Sequence, residues 1–592
     1  MNTELQHMAK APGSTGFIAL REEDHWRVYS GPQEILAACD RESLDTLLKR
    51  IDSHAAEGGE AAGFLAYEAG YALEPRLRAL LPQTPIPLAW FGLYERCELM
   101  QDAELLRVGT GPTVEEAELF ISRGQYCKKV EEIRELIAAG EIYQLNFTDR
   151  LKFGLTGDPW ELFAALCLEH PTPYAAFVNT GPKQVLSHSP ELFFRIQGDE
   201  IAVKPMKGTA PRGLTTEQDR CRAKELRESE KERAENVMIV DLMRSDLGRI
   251  CRMGPVHATK LFEVTRFPSL WQMTSTIQGE LTPGWTFDVV IRALFPSGSV
   301  TGAPKIRAME HIAQLESSSR GVYTGAIGYV ARGRAQFNVA IRTSVVSAGK
   351  GIMGVGSGIT HDSVPAREWE ECAWKCGYLT RRTPEFKLFE TMLWHDGYVL
   401  LDRHIERLAS SADYFGFAFQ RCRIDERLQE AAAEFSSGEK RRVRFSLARN
   451  GEIDLNIAHV NEGHYGQVRI AESQTLSSDY FLFHKTTHRQ VYDRELCSAR
   501  AGQCDDVLFF NERGELTEGA IHNVFVLKDQ IWRTPPLECG LLPGTYRAQF
   551  LAEHADARKE ILHWEDLVEA DAIYLCNSVR GMYQVKLAQT ER

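Results

Sequence analysis

Four glutamates fall in two pairs of the same spacing: Glu232 with Glu235, and Glu368 with Glu371. Three residues is an interval that brings two side chains to one face of a helix. Ser229 precedes the first pair and reads as its N-cap, with Glu232 reaching back to complete a capping box. Two such helices set face to face would surround one hard cation. Mg²⁺ takes oxygen ligands and keeps several waters, so two direct and two water-bridged carboxylates would suit it. Taken singly, each pair reads as a solvated helix face, because the chain holds 82 Asp and Glu residues. Glycine-rich stretches add amide donors: Pro205-Met-Lys-Gly-Thr209, Pro296-Ser-Gly-Ser-Val-Thr-Gly-Ala-Pro-Lys305 and Gly356-Ser-Gly-Ile359. Glycine lets backbone N–H groups come close to a bound carboxylate. Lys207 lies inside the first of these loops. A second lysine, Lys485, ends a short apolar run, and Glu518 follows a turn at 512–515. Arg407 sits in the helical stretch His404-Ile-Glu-Arg407-Leu408, and Leu542-Pro-Gly-Thr545 is a tight loop. Alone, each of these is an ordinary strand-end lysine, surface glutamate or amphipathic helix.

The elements that must carry these groups show as patterns. Strand-like runs cover 186–195, 321–330, 336–345 and 351–359, and helical patterns cover 128–139, 231–250 and 366–378. They do not alternate regularly, which favours α+β over a doubly wound sheet. The clearest seam is 379–385, polar and carrying Pro384, which resists helix continuation. It divides the chain into domains 1–380 and 386–592. Beyond it the pattern restarts with a strand at 386–392 and a helix from about Asp402, followed by strands at 442–448, 468–471, 507–511 and 523–527.

Composition excludes several classes. The 592 residues are 43% hydrophobic and 26% charged, the balance of an ordinary globular protein. As a prior, that length suggests about four units of average size. A net charge of −13 leaves no electrostatic footprint for nucleic acid or anionic membrane. No apolar run reaches the length of about 18 residues expected of a membrane span, and no secretory signal opens the chain. Thirteen cysteines with no Cys-x-x-Cys pair read as reduced thiols in a cytoplasm. The stretch 298–305 has the wrong spacing for a P-loop, and 354–358 the wrong spacing for a dinucleotide fingerprint. No cysteine sits in a glutaminase-type elbow, and position 2 is Asn2. Nitrogen drawn from glutamine would have to be released by another chain.

Jointly, the first part resembles the chorismate-utilising enzymes, and within them the large subunit of aminodeoxychorismate synthases. The resemblance runs from about Phe64 to Tyr378. It rests on Ala139-Gly-Glu-Ile-Tyr-Gln-Leu-Asn146, His188-Ser-Pro-Glu-Leu-Phe-Phe194, Ala234-Glu-Asn-Val-Met-Ile-Val-Asp-Leu-Met-Arg244, Gly321-Val-Tyr-Thr-Gly-Ala-Ile-Gly328 and Asp362-Ser-Val-Pro365, with the loops above. It implies a large two-layered β-sandwich with helices. Glu235 and Glu371 would bind Mg²⁺ directly, with Glu232 and Glu368 behind them, and the ion would hold one chorismate carboxylate. Arg342, Tyr323 and the Gly356-Ser357-Gly358 amides would hold the other, with Thr301 and Gly302 also lining the substrate. Glu191 would be the general acid for the departing C4 hydroxyl, kept protonated by burial. Lys207 would attack C2 before ammonia enters at C4; anthranilate synthases carry alanine there, in Pro-Ile-Ala-Gly-Thr. It can attack only as a free amine, so burial or neighbouring cations must depress its pKa. Met206 replaces the common isoleucine, and Gln272 stands where anthranilate synthases carry a histidine.

The second part, about Phe386 to Tyr583, resembles the fold type IV pyridoxal-phosphate enzymes, which include aminotransferases and aminodeoxychorismate lyase. That implies a smaller, two-subdomain α+β domain. Lys485 would carry pyridoxal 5′-phosphate and Glu518 would pair with its ring nitrogen. Arg407, the Gly544-Thr545 backbone and Ser578 would hold the phosphate. Asn523 would shape the pocket, and Thr391 would lie near the substrate amine. Fusion with the first part favours the lyase. The joint expectation is a bifunctional route from chorismate to 4-aminobenzoate for folate, with a glutamine amidotransferase partner and a homodimer through the second domain. The alternatives are an anthranilate synthase-like domain fused to a branched-chain or D-amino-acid aminotransferase-like one, which Lys207 opposes, and a non-catalytic second domain. Against the latter stand Lys485, Glu518 and Arg407 together.

Overall fold

The computed structural model describes residues 12–106, 111–254, 256–380, 384–460, 463 and 465–588. Arg381, Arg382 and Thr383, inside the expected seam, lie outside the described residues. The chain forms two compact units, one of 1–211 with 223–383 and one of 212–222 with 384–592. The seam reading does not anticipate that 212–222 groups with the second unit. Within that unit the Tyr414 hydroxyl donates to the Gly213 carbonyl at 2.8 Å, and its ring lies 4.4 Å from the Arg212 guanidinium.

Among the described residues the first unit holds two ten-stranded sheets. Ile18, Tyr29 and Val178 of one sheet pack with Phe64, Trp90 and Ile327 of the other. Helices cover the outer faces. Glu230–Leu247 buries Ile239, Val240, Met243 and Leu247 in a cluster with Phe194 and Phe337, while Pro365–Thr380 joins Phe147 and Val355 on the opposite side. That spacing of three and four residues is the stripe a half-buried helix needs. Each such side chain contributes about 1.5–3 kcal/mol on burial. Two expected strands are each two strands. The run 186–195 divides into Gln184–Ser189 in one sheet and Leu192–Gln197 in the other. The run 336–345 divides into Arg334–Val339 and Thr343–Ser347 and crosses back. Pro190 lacks the N–H a ladder needs, and Arg342 turns the chain with a φ of 49°. The corners are tied together: Ser189 Oγ donates to the Val339 carbonyl at 2.5 Å, and the His188 N–H donates to the Arg342 carbonyl at 3.0 Å. The expected strand 321–330 begins only at Ala326, because a turn carrying Thr324 at φ 60° precedes it.

The second unit has a three-stranded sheet, Leu388–Trp394, Arg441–Leu447 and Ile453–His459, packed on helix Leu401–Phe415. Its other sheet has eight described strands, parallel and antiparallel, including Leu516–Gly519 and Asn523–Lys528. Among the described residues no helix is long and apolar enough to cross a membrane, and the cysteines are free thiols.

Candidate active sites

In the first unit a cavity of about 260 Å³ gathers Glu191, Lys207, Tyr323, Arg342, the 354–358 strand segment and all four glutamates. The two sheet-crossing corners supply Glu191 and Arg342. Glu191 is 3% exposed and takes a 2.6 Å hydrogen bond from Ser299 Oγ. Burial pushes its carboxyl up to about 7, so it holds a proton near neutrality. The Arg342 guanidinium makes no hydrogen bond or ion pair with the described residues, and burial lowers its pKa. Its guanidinium lies 5.8 Å from the Phe267 ring, and a half-buried cation with no anion bonded to it is suited to an arriving carboxylate.

Lys375 Nζ donates to the Gly356 carbonyl at 2.9 Å, so that residue faces the open edge of its strand. By alternation Gly358 faces the same edge and Ser357 faces the neighbouring strand. Of the three expected amide donors, Gly356 and Gly358 are available. Ser357 is spent on the ladder, and its hydroxyl pairs with Tyr126 at 3.1 Å. A side chain at Gly354 would collide with the Tyr323 ring, and one at Gly358 would stand 2.9 Å from Lys207 Nζ. Thr301 and Gly302 do not line the cavity. The Thr301 hydroxyl donates to the Ser297 carbonyl at 2.8 Å, and Gly302 pairs with Leu145 in the sheet. In these positions they brace the loop.

The carboxylates differ from expectation. Ser229 does cap its helix, accepting from the Glu232 N–H at 3.3 Å, but Glu232 does not reach back. Its carboxylate lies beside Gly208, 3.1 Å from where a Cβ would stand. Burial, then the Glu235 charge, raises its pKa. Among the described residues no three His, Cys, Asp or Glu side chains stand as a ligand set for one ion. Glu235 is bonded to Lys207 at 3.0 Å and lies 3.9 Å from Lys231, while Glu371 is bonded to Lys375 at 2.7 Å, which lowers its pKa. These lysines offset the repulsion among carboxylates grouped in one cavity. In kind, four carboxylates remain an oxygen donor set of the sort Mg²⁺ takes. Lys207 therefore has an anion, Glu235, against it, where the sequence reading looked to burial or neighbouring cations. Gln272 holds its loop: Nε2 donates to the Gly208 carbonyl at 2.8 Å, and Oε1 accepts from Thr209 at 3.2 Å.

In the second unit Thr391, Arg407, Lys485, Glu518, Asn523, Gly544, Thr545 and Ser578 line one cavity of about 980 Å³. Burial, then the Arg407 and Arg489 charges, depresses Lys485 to about 7, which leaves much of it as free amine. Burial pushes Glu518 up to about 8, and its oxygens take hydrogen bonds from Asn523 Nδ2 at 3.1 Å and Tyr492 at 3.3 Å. Asn523 also donates to the Leu542 carbonyl at 3.1 Å, so it orients Glu518 and ties the next loop. Gly544 is required beside it, because Asn523 Oδ1 occupies the place of a Cβ. Gly544 is the N-cap of helix Thr545–Glu553, whose first amides suit a phosphate. Arg407 spends Nε and one Nη2 proton on Glu390, at 2.9 and 2.5 Å, and one Nη1 proton on the Pro543 carbonyl at 3.0 Å. One proton on each terminal nitrogen is left for an anion. The Ser578 hydroxyl is committed to the Thr391 carbonyl at 3.2 Å, so as it stands it donates nothing to a phosphate. Sequence reasoning missed Glu390, although it lies in a strand where alternation opposes it to Thr391. Burial works against its ionisation, yet Arg407 and His404 hold its carboxyl at about 2. A buried lysine partly free of its proton, a buried acid beyond it and an anion-binding helix start are a donor set that fits pyridoxal phosphate.

A family model of chorismate binding enzymes matches residues 9–381, and one of class IV aminotransferases matches 387–588. The aminodeoxychorismate synthase component 1 of Bacillus subtilis (strain 168) is 38% identical over 269 residues, 45% of this chain and 57% of that protein. The anthranilate synthase component 1 of Methanothermobacter thermautotrophicus (strain Delta H) is 41% identical over 254 residues, 43% of this chain and 55% of that protein. The chain thus spans little more than half the length of these relatives. A crystal structure of anthranilate synthase component I from Streptococcus pneumoniae TIGR4 superposes with a TM-score of 0.51 at 29% identity, covering 62% of this chain and 91% of that one.

Proposed function

The chain belongs to the chorismate-binding enzyme family, and on that premise we propose that it converts chorismate and ammonia to 4-amino-4-deoxychorismate and then releases pyruvate to leave 4-aminobenzoate. The observation that carries the reading is a lysine in each of two cavities. Lys207 shares the first with the buried acid Glu191, and Lys485 shares the second with the buried acid Glu518.

In the first cavity Arg342 and the Gly356 and Gly358 amides bind one carboxylate of chorismate. Glu235 and Glu371, backed by Glu232 and Glu368, would hold Mg²⁺, which supplies charge for the other carboxylate. Lys207 Nζ attacks C2 as Glu191 gives its proton to the C4 hydroxyl, which leaves as water. Ammonia then bonds to C4, Lys207 departs from C2, and the surplus proton returns to Glu191. A separate glutamine amidotransferase chain supplies the ammonia.

In the second cavity the terminal N–H groups of Arg407 and the Gly544-Thr545 amides would hold the phosphate of pyridoxal phosphate. When bound, that cofactor supplies an electron sink at the amine-bearing carbon. Glu518 holds a proton at the ring nitrogen, and Asn523 and Tyr492 hold Glu518. Lys485 Nζ takes the C4 proton, and pyruvate leaves as the ring becomes aromatic. Arg444, 4.0 Å from the Phe389 ring and without a hydrogen bond or ion pair among the described residues, gives the cavity a cation for a substrate carboxylate. The deciding assay supplies chorismate, Mg²⁺ and ammonium salt and identifies the aromatic product. 4-Aminobenzoate is expected; anthranilate would overturn the reading.

A further inference from the structure

Glu191 is not held alone. It lies at a corner between sheets, and a short helical turn, Gly298–Val300, presents Ser299 to it. Ser299 Oγ donates to Glu191 Oε1 at 2.6 Å, and Ser297 Oγ lies 2.9 Å behind Ser299 Oγ. The turn is fixed on three sides. The Thr301 hydroxyl bonds the Ser297 carbonyl at 2.8 Å, and the Val300 carbonyl takes the Arg320 guanidinium at 2.8 Å. At Gly298 a Cβ would strike Leu242 and come within 2.7 Å of Met243, so the turn sits close against the helix below. The Met206 backbone also favours the charged form of the same carboxyl. Lys207, Arg342, Lys375 and the four glutamates line the cavity, but none is bonded to Glu191.

A hydroxyl has one proton to give. With that of Ser299 spent on Oε1, the acidic proton of Glu191 belongs on Oε2. We propose that Ser299, backed by Ser297, is the positioning residue for the general acid: it keeps the transferable proton on one oxygen and stabilises the carboxylate left after transfer. This rests on the reading of Glu191 as proton donor to the leaving hydroxyl. A hydrogen bond donated to a carboxylate favours the charged form, so Ser299 opposes the burial that raises Glu191.

The test uses the full chain with chorismate and Mg²⁺ at constant free ammonia, with rate followed against pH. In the wild-type protein the rate falls as Glu191 loses its proton. Ser299→Ala should move that fall upward by about one pH unit and lower the plateau about tenfold. Ser299→Thr, which keeps the hydroxyl, should restore the wild-type limb, and Ser297→Ala should move it less than Ser299→Ala does. General damage would lower the rate without moving the limb. An unmoved limb in Ser299→Ala overturns the proposal. So does a downward move, which would mean that Glu191 donates to Ser299. Infrared titration of the Glu191 carboxyl band, assigned by its loss in Glu191→Gln, reads the same shift without turnover. It decides the Ser299 role even if the proposed reaction is wrong.

Discussion

Gly358→Ala isolates the nucleophile of the first cavity with a single methyl group. The new Cβ would stand 2.9 Å from Lys207 Nζ and 3.1 Å from Gln144 Nε2. Ordinary contact lies near 3.5–4.0 Å, so Nζ must retreat by roughly 0.6–1 Å. The displaced atom is the end of a flexible side chain, and the φ of Gly358 is not in the left-handed region, so the fold should tolerate the change. A displacement of about 1 Å costs on the order of 10²-fold when the atom is the attacking nucleophile, or about 2.7 kcal/mol in the barrier. The assay measures 4-amino-4-deoxychorismate formation from chorismate, Mg²⁺ and ammonium, with thermal unfolding alongside. Conversion of supplied 4-amino-4-deoxychorismate by the second cavity should be unchanged. Gly356→Ala is the contrast: its Cβ would press on the Phe147 carbonyl, a backbone atom that cannot swing aside, so it should cost stability first. A wild-type first-step rate in Gly358→Ala would refute the placement of Lys207 as nucleophile.

Pyridoxal phosphate should colour the protein, and borohydride should fix it on Lys485. The rate of loading should rise with pH through about 7, because only the deprotonated amine condenses; Lys485→Ala should stay colourless in the same absorbance assay. The first step should show the opposite limb, falling above about 7 as Glu191 ionises. Asn523→Ala removes a donor from Glu518 and from the Leu542 carbonyl, and should weaken cofactor binding about tenfold in a fluorescence titration. Arg444→Ala should raise KM for 4-amino-4-deoxychorismate about tenfold while leaving the first step at its wild-type rate, as measured by product release.

Much of the local structure was legible in the residues. The helices carrying the glutamate pairs run Glu230–Leu247 and Pro365–Thr380, close to the expected 231–250 and 366–378. Their apolar stripes and the Ser229 cap depend on neighbours three or four residues away. The runs 186–195 and 336–345 were readable as extended but not as broken, because both halves are buried and continuous in pattern. The break places Glu191 and Arg342, and nothing in local periodicity marks a change of sheet. Thr301 and Gly302 stay outside the cavity lining for a related reason: the Thr301 hydroxyl is taken up in the turn and Gly302 in pairing with Leu145, which only the tertiary fold reveals.

Sequence by itself determined the kinds of reactive group and their order: two lysines, paired glutamates, an acid behind a proline, glycines in three loops. It also determined the helices that hold them, since those rest on short-range repeats. Tertiary structure decided which groups meet. Glu235 with Lys207, Ser299 with Glu191, Asn523 with Glu518 and Glu390 with Arg407 are separated by between 5 and 108 residues. Apart from the local Asn523 pair, they are brought together by sheet crossings and chain closure rather than by local pattern. The protonation of Glu191, Lys485 and Glu518 belongs to that second class. Burial is its largest cause in each, and burial is a property of the packed chain.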